Sequence, residues 1–204
     1  MKRLLVWVAI AAMTVVTAQA NLLLNYGFES ELSGSDWSSV WGAGQFVRET
    51  WNSPPEGSYA IYFKGGWSVG ADNFGGGLQA VNSGIIGGET YELSAQFYWD
   101  NGWSAASQVI KLEFFDGSAG LLQAYTLNLT DLTEATWQTR SISGMAPVGS
   151  AYAQVVFEGN GFGADGVLAA DNFSLTQQAI PEPSVALLGL LGGGLLVLLR
   201  RKVK

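Results

Sequence analysis

Seven tryptophans lie between Asn21 and Ala179: Trp37, Trp41, Trp51, Trp67, Trp99, Trp103 and Trp137. Trp37, Trp41, Trp51, Trp67 and Trp103 sit in Gly/Ser-rich, loop-like stretches, where an indole exposed without a partner is costly. Aromatic platforms flanked by amides and acids suit the apolar C–H faces and the hydroxyls of sugar rings. On that reasoning Trp41, Trp67, Tyr98 and Trp103 are candidate platforms, and Gln96 and Glu113 candidate partners for hydroxyls. The competing reading is that these rings pack under long loops or seal the ends of a sandwich.

Other chemistry is restricted by what the chain lacks. It contains neither histidine nor cysteine, so it cannot build a Ser-His-Asp or Cys-His nucleophile or a His-ligated zinc site. Glycoside hydrolysis needs paired carboxylates, one with its pKa raised by burial, and the acids here are scattered without such a motif. Gly75-Gly76-Gly77 lacks the Lys and Ser/Thr that follow in a phosphate loop. The expectation is a protein that is not an enzyme.

Charge points the same way. Between residues 21 and 179 only Arg48, Lys64, Lys111 and Arg140 stand against sixteen acids, a net −12. Such a surface repels nucleic acid and anionic lipid and attracts cations. With no disulfide available, stability must come from core size or a metal.

The elements that position these residues read as strands. Gly, Ser, Asn and Asp clusters punctuate short apolar or alternating runs. Strands are predicted at Asn21–Leu24, Ser58–Lys64, Gly77–Val81, Thr90–Trp99, Gln108–Phe115, Ala124–Leu129, Thr136–Ser143, Ala151–Glu158 and Leu168–Leu175. In the Thr90 strand Tyr91, Leu93, Ala95, Phe97 and Trp99 share one face, and Glu92, Ser94, Gln96 and Tyr98 the other. In the next strand Ile110, Leu112 and Phe114 point inward and Lys111, Glu113 and Phe115 outward. Tyr98, Gln96, Lys111 and Glu113 are therefore expected to floor one concave groove. No helical period is sustained and no long repeat is present. The expected architecture is all-β, a two-sheet antiparallel β-sandwich of the jelly-roll type.

The two ends of the chain read as addresses. Lys2 and Arg3, the apolar stretch Leu4–Val16 and the small residues Ala18 and Ala20 around Gln19 are the parts of a secretory signal peptide, cleaved to leave Asn21 first. An N-terminal transmembrane anchor is the alternative. At the far end Pro181-Glu182-Pro183-Ser184 precedes an uncharged run from Val185 to Leu199, closed by Arg200, Arg201, Lys202 and Lys204. As a helix that run would span about 22 Å at roughly 1.5 Å per residue, short of a hydrocarbon core of roughly 30 Å. Gly189, Gly192, Gly193 and Gly194 weaken it further. It reads as a temporary stop. This order of parts resembles the PEP-CTERM sorting signal. The resemblance implies recognition by an exosortase, transient anchoring in the inner membrane, removal of the tail, and delivery to the cell surface or extracellular matrix. An ordinary membrane anchor is the alternative. The organisation expected is a signal peptide (1–20), a sandwich domain (21–179) and a sorting tail (180–204).

Within the body, Asn21-Leu22-Leu23-Leu24-Asn25-Tyr26-Gly27-Phe28-Glu29, Glu56-Gly57-Ser58-Tyr59-Ala60-Ile61 and Leu168-Ala169-Ala170-Asp171-Asn172-Phe173-Ser174-Leu175 resemble segments of carbohydrate-binding-module-like jelly rolls. That resemblance implies a structural calcium held by Glu29 and Asp171, with backbone oxygens near Gly27 and around Gly57 and Ser58 completing a shell of hard donors. Both acids as ordinary surface charges is the alternative. Two functions follow: a module binding exopolysaccharide or another glycan, or a structural matrix protein of the same fold without a dedicated ligand.

Overall fold

The computed structural model describes residues 20–34, 36–42, 46–67 and 73–178. Ala18 of the expected signal peptide and Pro181, Glu182, Pro183, Arg200 and Arg201 of the expected sorting tail lie outside the described residues, as does the side chain of Trp41. The described residues form strands β1 (Ser38–Trp41), β2 (Val47–Glu49), β3 (Ala60–Lys64), β4 (Phe74–Val81), β5 (Thr90–Trp99), β6 (Ser107–Phe115), β7 (Leu121–Asn128), β8 (Gln138–Met145), β9 (Tyr152–Asn160) and β10 (Val167–Gln177), with no helix among them. Two five-stranded sheets result, in the orders β1-β4-β9-β6-β7 (sheet A) and β2-β3-β10-β5-β8 (sheet B). Every strand pairing within them is antiparallel.

Alternation decides which side chains enter the core. On β5, Tyr91, Leu93, Ala95 and Phe97 are buried while Glu92, Ser94, Gln96 and Tyr98 stay half-buried outside, as the period of two requires. Between the sheets Phe63 of β3 stacks on Phe157 of β9 with centroids 4.3 Å apart. Phe28, Trp37, Phe97 and Phe173 close the same aromatic core. Each fully buried ring of this kind contributes about 1.5–3 kcal/mol. A Cβ at Gly77 would overlap the Phe46 ring, so the glycine run of β4 is a flat bed for an aromatic side chain.

Asn21–Leu24 is not a strand, contrary to expectation, because a side chain takes the place of a neighbouring strand. Leu22 N–H donates to the Leu175 carbonyl at 2.9 Å, but Leu24 bonds through both its backbone groups to the Gln79 side chain. The short strands β1 and β2 were not expected, since their Gly/Ser-rich surroundings hide three- and four-residue runs.

Candidate functional site

The two sheets present different outer faces, and the expected groove residues are divided between them. Gln96 and Tyr98 lie on β5 in sheet B, whereas Lys111 and Glu113 lie on β6 in sheet A. Outward residues of the two strands therefore face opposite sides of the molecule and cannot floor one groove. Alternation was read correctly within each strand. The assignment of strands to sheets was not available from it.

On the outer face of sheet B the aromatic residues seal the fold. Ala60, Tyr62, Val167 and Ala169 are buried there beneath Val47, Trp51, Tyr98 and Trp137. Trp137 packs on Tyr98 at 5.5 Å and donates its indole N–H to the Asn52 carbonyl at 2.9 Å. Tyr62 donates its hydroxyl to the Trp51 carbonyl, and burial pushes its phenol well above the ordinary range. Trp67, 55% exposed, gives its indole N–H to the Gly166 carbonyl at 3.1 Å and packs against Trp51. Gln96 accepts from the Asn172 side chain at 3.1 Å. The Trp67 and Trp137 indoles, the Tyr62 hydroxyl and the Gln96 amide are thus bonded to the protein itself, while no hydrogen bond among the described residues engages the Tyr98 hydroxyl or the Trp51 N–H. Trp103, a candidate platform, is in the core, as is Trp37. Trp37 is fully buried, and Trp103 is buried with its N–H on Gln108 Oε1 at 2.6 Å.

Sheet A differs. Its register aligns outward residues in rows across the strands: Phe74, Asn160 and Ser107; then Gly76, Glu158, Val109 and Asn128; then Leu78, Val156, Lys111 and Thr126; then Ala80, Gln154, Glu113 and Ala124. The floor is small or apolar, with Val109 and Val156 buried. Lys111 pairs with Glu158. Burial lifts the Glu113 carboxyl above its ordinary value, opposed by Lys111 and reinforced by Glu158. Among the described residues no hydrogen bond engages the side chains of Ser107, Asn128, Gln154 or Asn160. A hollow of about 330 Å³ opens beside Phe74, Ser107, Glu158 and Asn160. The backbone of Trp41 pairs with Gly76 at the edge of this face. Of the candidates, Glu113 thus lies on this face and Trp41 at its rim, while Trp67, Tyr98 and Gln96 lie on the other sheet. Phe74, Gln154, Glu158 and Asn160 were missed, although the outward phase of β9 marks the last three.

At the seam of the first and last segments, Glu29 Oε1 accepts the N–H groups of Ser58 and Tyr59, both at 2.9 Å. Asp171 Oδ2 accepts Glu56 N–H at 3.1 Å. Around Gly57 and Ser58 it is thus amide donors, not carbonyls, that face Glu29. A Cβ on Gly57 would overlap the Glu29 carboxylate, and one on Gly27 would lie 3.1 Å from that of Glu56. Asp171 is fully buried. Burial pushes its carboxyl up to about 7, two amide bonds pull it down, and Glu56 and Glu29 add to the rise. The donors are hard oxygens of the kind calcium takes, and the field favours a cation. Among the described residues no group of three or more acidic, His or Cys side chains is gathered closely enough to constitute a metal site by itself.

Two antiparallel sheets packed in this order define a jelly-roll sandwich, a fold shared with solved carbohydrate-binding modules. The chain is similar to a family 16 carbohydrate-binding module (19% identity, TM-score 0.56, covering 76% of this chain and 99% of that one). It is also similar to the CBM22-1 xylan-binding domain of Paenibacillus barcinonensis Xyn10C (16%, TM-score 0.54, 81% and 100%). A third similarity is to the enzymatically active domain of tailspike protein 4 of bacteriophage CBA120 (14%, TM-score 0.59). It covers 78% of this chain but only 21% of the tailspike. At these identities the likeness concerns the fold. No protein-family model and no curated protein matches the sequence.

Proposed function

We propose that this protein is a non-catalytic glycan-binding module whose ligand lies across the outer face of sheet A. The observation that carries this reading is the contrast between the two sheets. On sheet B the indole N–H groups of Trp67 and Trp137 and the Tyr62 hydroxyl are given to backbone carbonyls of the fold, whereas the side chains of Ser107, Asn128, Gln154 and Asn160 on sheet A have no hydrogen bond among the described residues and stand around an apolar floor. Hydroxyl-binding side chains around a sugar-sized hollow are what a polysaccharide site requires. Support also comes from solved modules of the same architecture, one of them described as xylan-binding.

In this reading a calcium ion would be held by the Glu29 and Asp171 carboxylates with backbone oxygens completing its shell, and would fasten the first segment to β10. The signal peptide and the PEP-CTERM-like tail carry the body through the inner membrane, where an exosortase removes the tail and releases the module to the surface or matrix. A polysaccharide array probed with the isolated body tests the binding. Retention on at least one polysaccharide supports it, and failure to bind any favours a purely structural matrix protein. Intact mass of the exported protein tests both cuts. Residues 184–204 still attached would contradict tail removal.

A further inference from the structure

One end of the sandwich is poor in charge in a body of net −12. Of the two connections there, residues 146–151 between β8 and β9 contain no charged residue, and residues 82–89 between β4 and β5 contain one, Glu89 at the foot of β5. They lie against each other: a Cβ on Gly87 would stand 2.9 Å from the Pro147 carbonyl oxygen, and Gly88 N–H donates to the Ala146 carbonyl at 2.7 Å. What they leave in solvent is apolar. Val148 is 90% exposed and Ile86 54%, with Met145, next to Ala146, at 55%. Charges near this end are turned away: Asp116 caps the N–H groups of its own turn at Ser118 and Gly120, and Glu89 is half-buried. The loops at the opposite end carry Asp100, Asp131, Glu134 and Asp165. Single exposed apolar residues are ordinary, whereas a cluster marks a contact surface.

The chain leaves the body at the same end. Gln178 donates its N–H to the Thr90 carbonyl at 2.7 Å, and Thr90 pairs with Met145. Six residues separate Gln178 from the apolar run that begins at Val185, a reach of at most about 25 Å at roughly 3.3–3.6 Å per residue. If that run enters a bilayer, the linker keeps this end within about 25 Å of the point of entry.

We propose that the end bearing Ile86, Met145 and Val148 is a membrane-facing tip, seated in the neutral interfacial layer of a bilayer while the tail is inserted, with the acidic end held outward. Shallow apolar insertion adds to a weak span what the short tail lacks. The proposal rests on the reading of residues 185–199 as membrane-inserted.

Because the chain has no cysteine, single-site labels are clean. The full chain carrying Val148→Cys, Thr133→Cys or Leu190→Cys, each with a polarity-sensitive dye, is reconstituted into phosphatidylcholine vesicles with and without brominated acyl chains. Dyes at positions 148 and 190 are expected to shift to the blue and to be quenched at least about twice as strongly as at position 133. A label at 148 that behaves like the one at 133 while the label at 190 is quenched overturns the tip and leaves the inserted tail standing. A label at 190 that remains in water overturns both. Shielding at 148 already complete before vesicles are added makes the patch a contact between copies, and also overturns it.

Discussion

Both ends of the Gln79 side-chain amide are held by the backbone of Leu24: Oε1 accepts its N–H at 2.7 Å, and Nε2 donates to its carbonyl at 2.8 Å. Gln79 is buried at 2% exposure, so the N-terminal segment is tied to sheet A by one side chain. Gln79→Leu leaves an N–H and a C=O without partners, at about 1–3 kcal/mol each. Urea unfolding is expected to show a midpoint lowered by the equivalent of about 2–4 kcal/mol with the slope unchanged. An unaltered midpoint would contradict the tie.

Gly77→Ala drives a methyl group into the Phe46 ring. The expected loss is about 1–3 kcal/mol, as for other overpacked cores. Gly77→Ala combined with Phe46→Leu is expected to lose less than the two changes separately, since the methyl then has room. Strict additivity would show that Phe46 is not the obstacle.

The carboxyl of Asp171 is raised from 3.8 to about 7. Between those values the folded state holds a proton that the unfolded chain has released, so stability falls as pH rises through this window. In the proposed reading, a calcium ion at this carboxylate would hold it ionised and remove the fall. With a chelator present, the melting temperature of the body is expected to drop by several degrees from about pH 4.5 to about pH 7.5. Calcium is expected to raise it at the upper pH far more than at the lower. Asp171→Asn removes both the slope and the calcium response. A melting temperature indifferent to calcium at neutral pH would contradict the cation site.

Trp137→Phe deletes the N–H that reaches Asn52 while keeping a ring on Tyr98. Its cost is expected at about 0.5–1.5 kcal/mol, the net worth of one such bond, read by thermal melting, with glycan retention unchanged. A selective loss of retention would return sheet B to the binding surface.

What was legible in the sequence followed from local physics. The alternation of β5 and β6 fixed the inward and outward sets and the all-β architecture, because a strand's period is carried by its own residues. The pairing of strands across the sandwich was not legible. Glu113 and Tyr98 both read as outward, and only the sheet orders reveal that they face opposite sides. Tryptophan exposure was illegible for the same reason: Trp103 sits in a Gly/Ser-rich stretch, yet Gln108 from the following strand reaches its indole N–H and Phe162 packs on its ring. Glu56 escaped notice because its closeness to Asp171 spans 115 residues of chain.

The central claim is that sheet A, not sheet B, carries the glycan. Affinity electrophoresis of the body against a polysaccharide that retains it decides this most directly, comparing Gln154→Ala/Asn160→Ala with Trp67→Ala. The sheet A variant is expected to weaken retention at least about tenfold, a loss of roughly 1.4 kcal/mol, while Trp67→Ala binds as the parent does. Undiminished binding by the sheet A variant together with loss in Trp67→Ala would contradict the account.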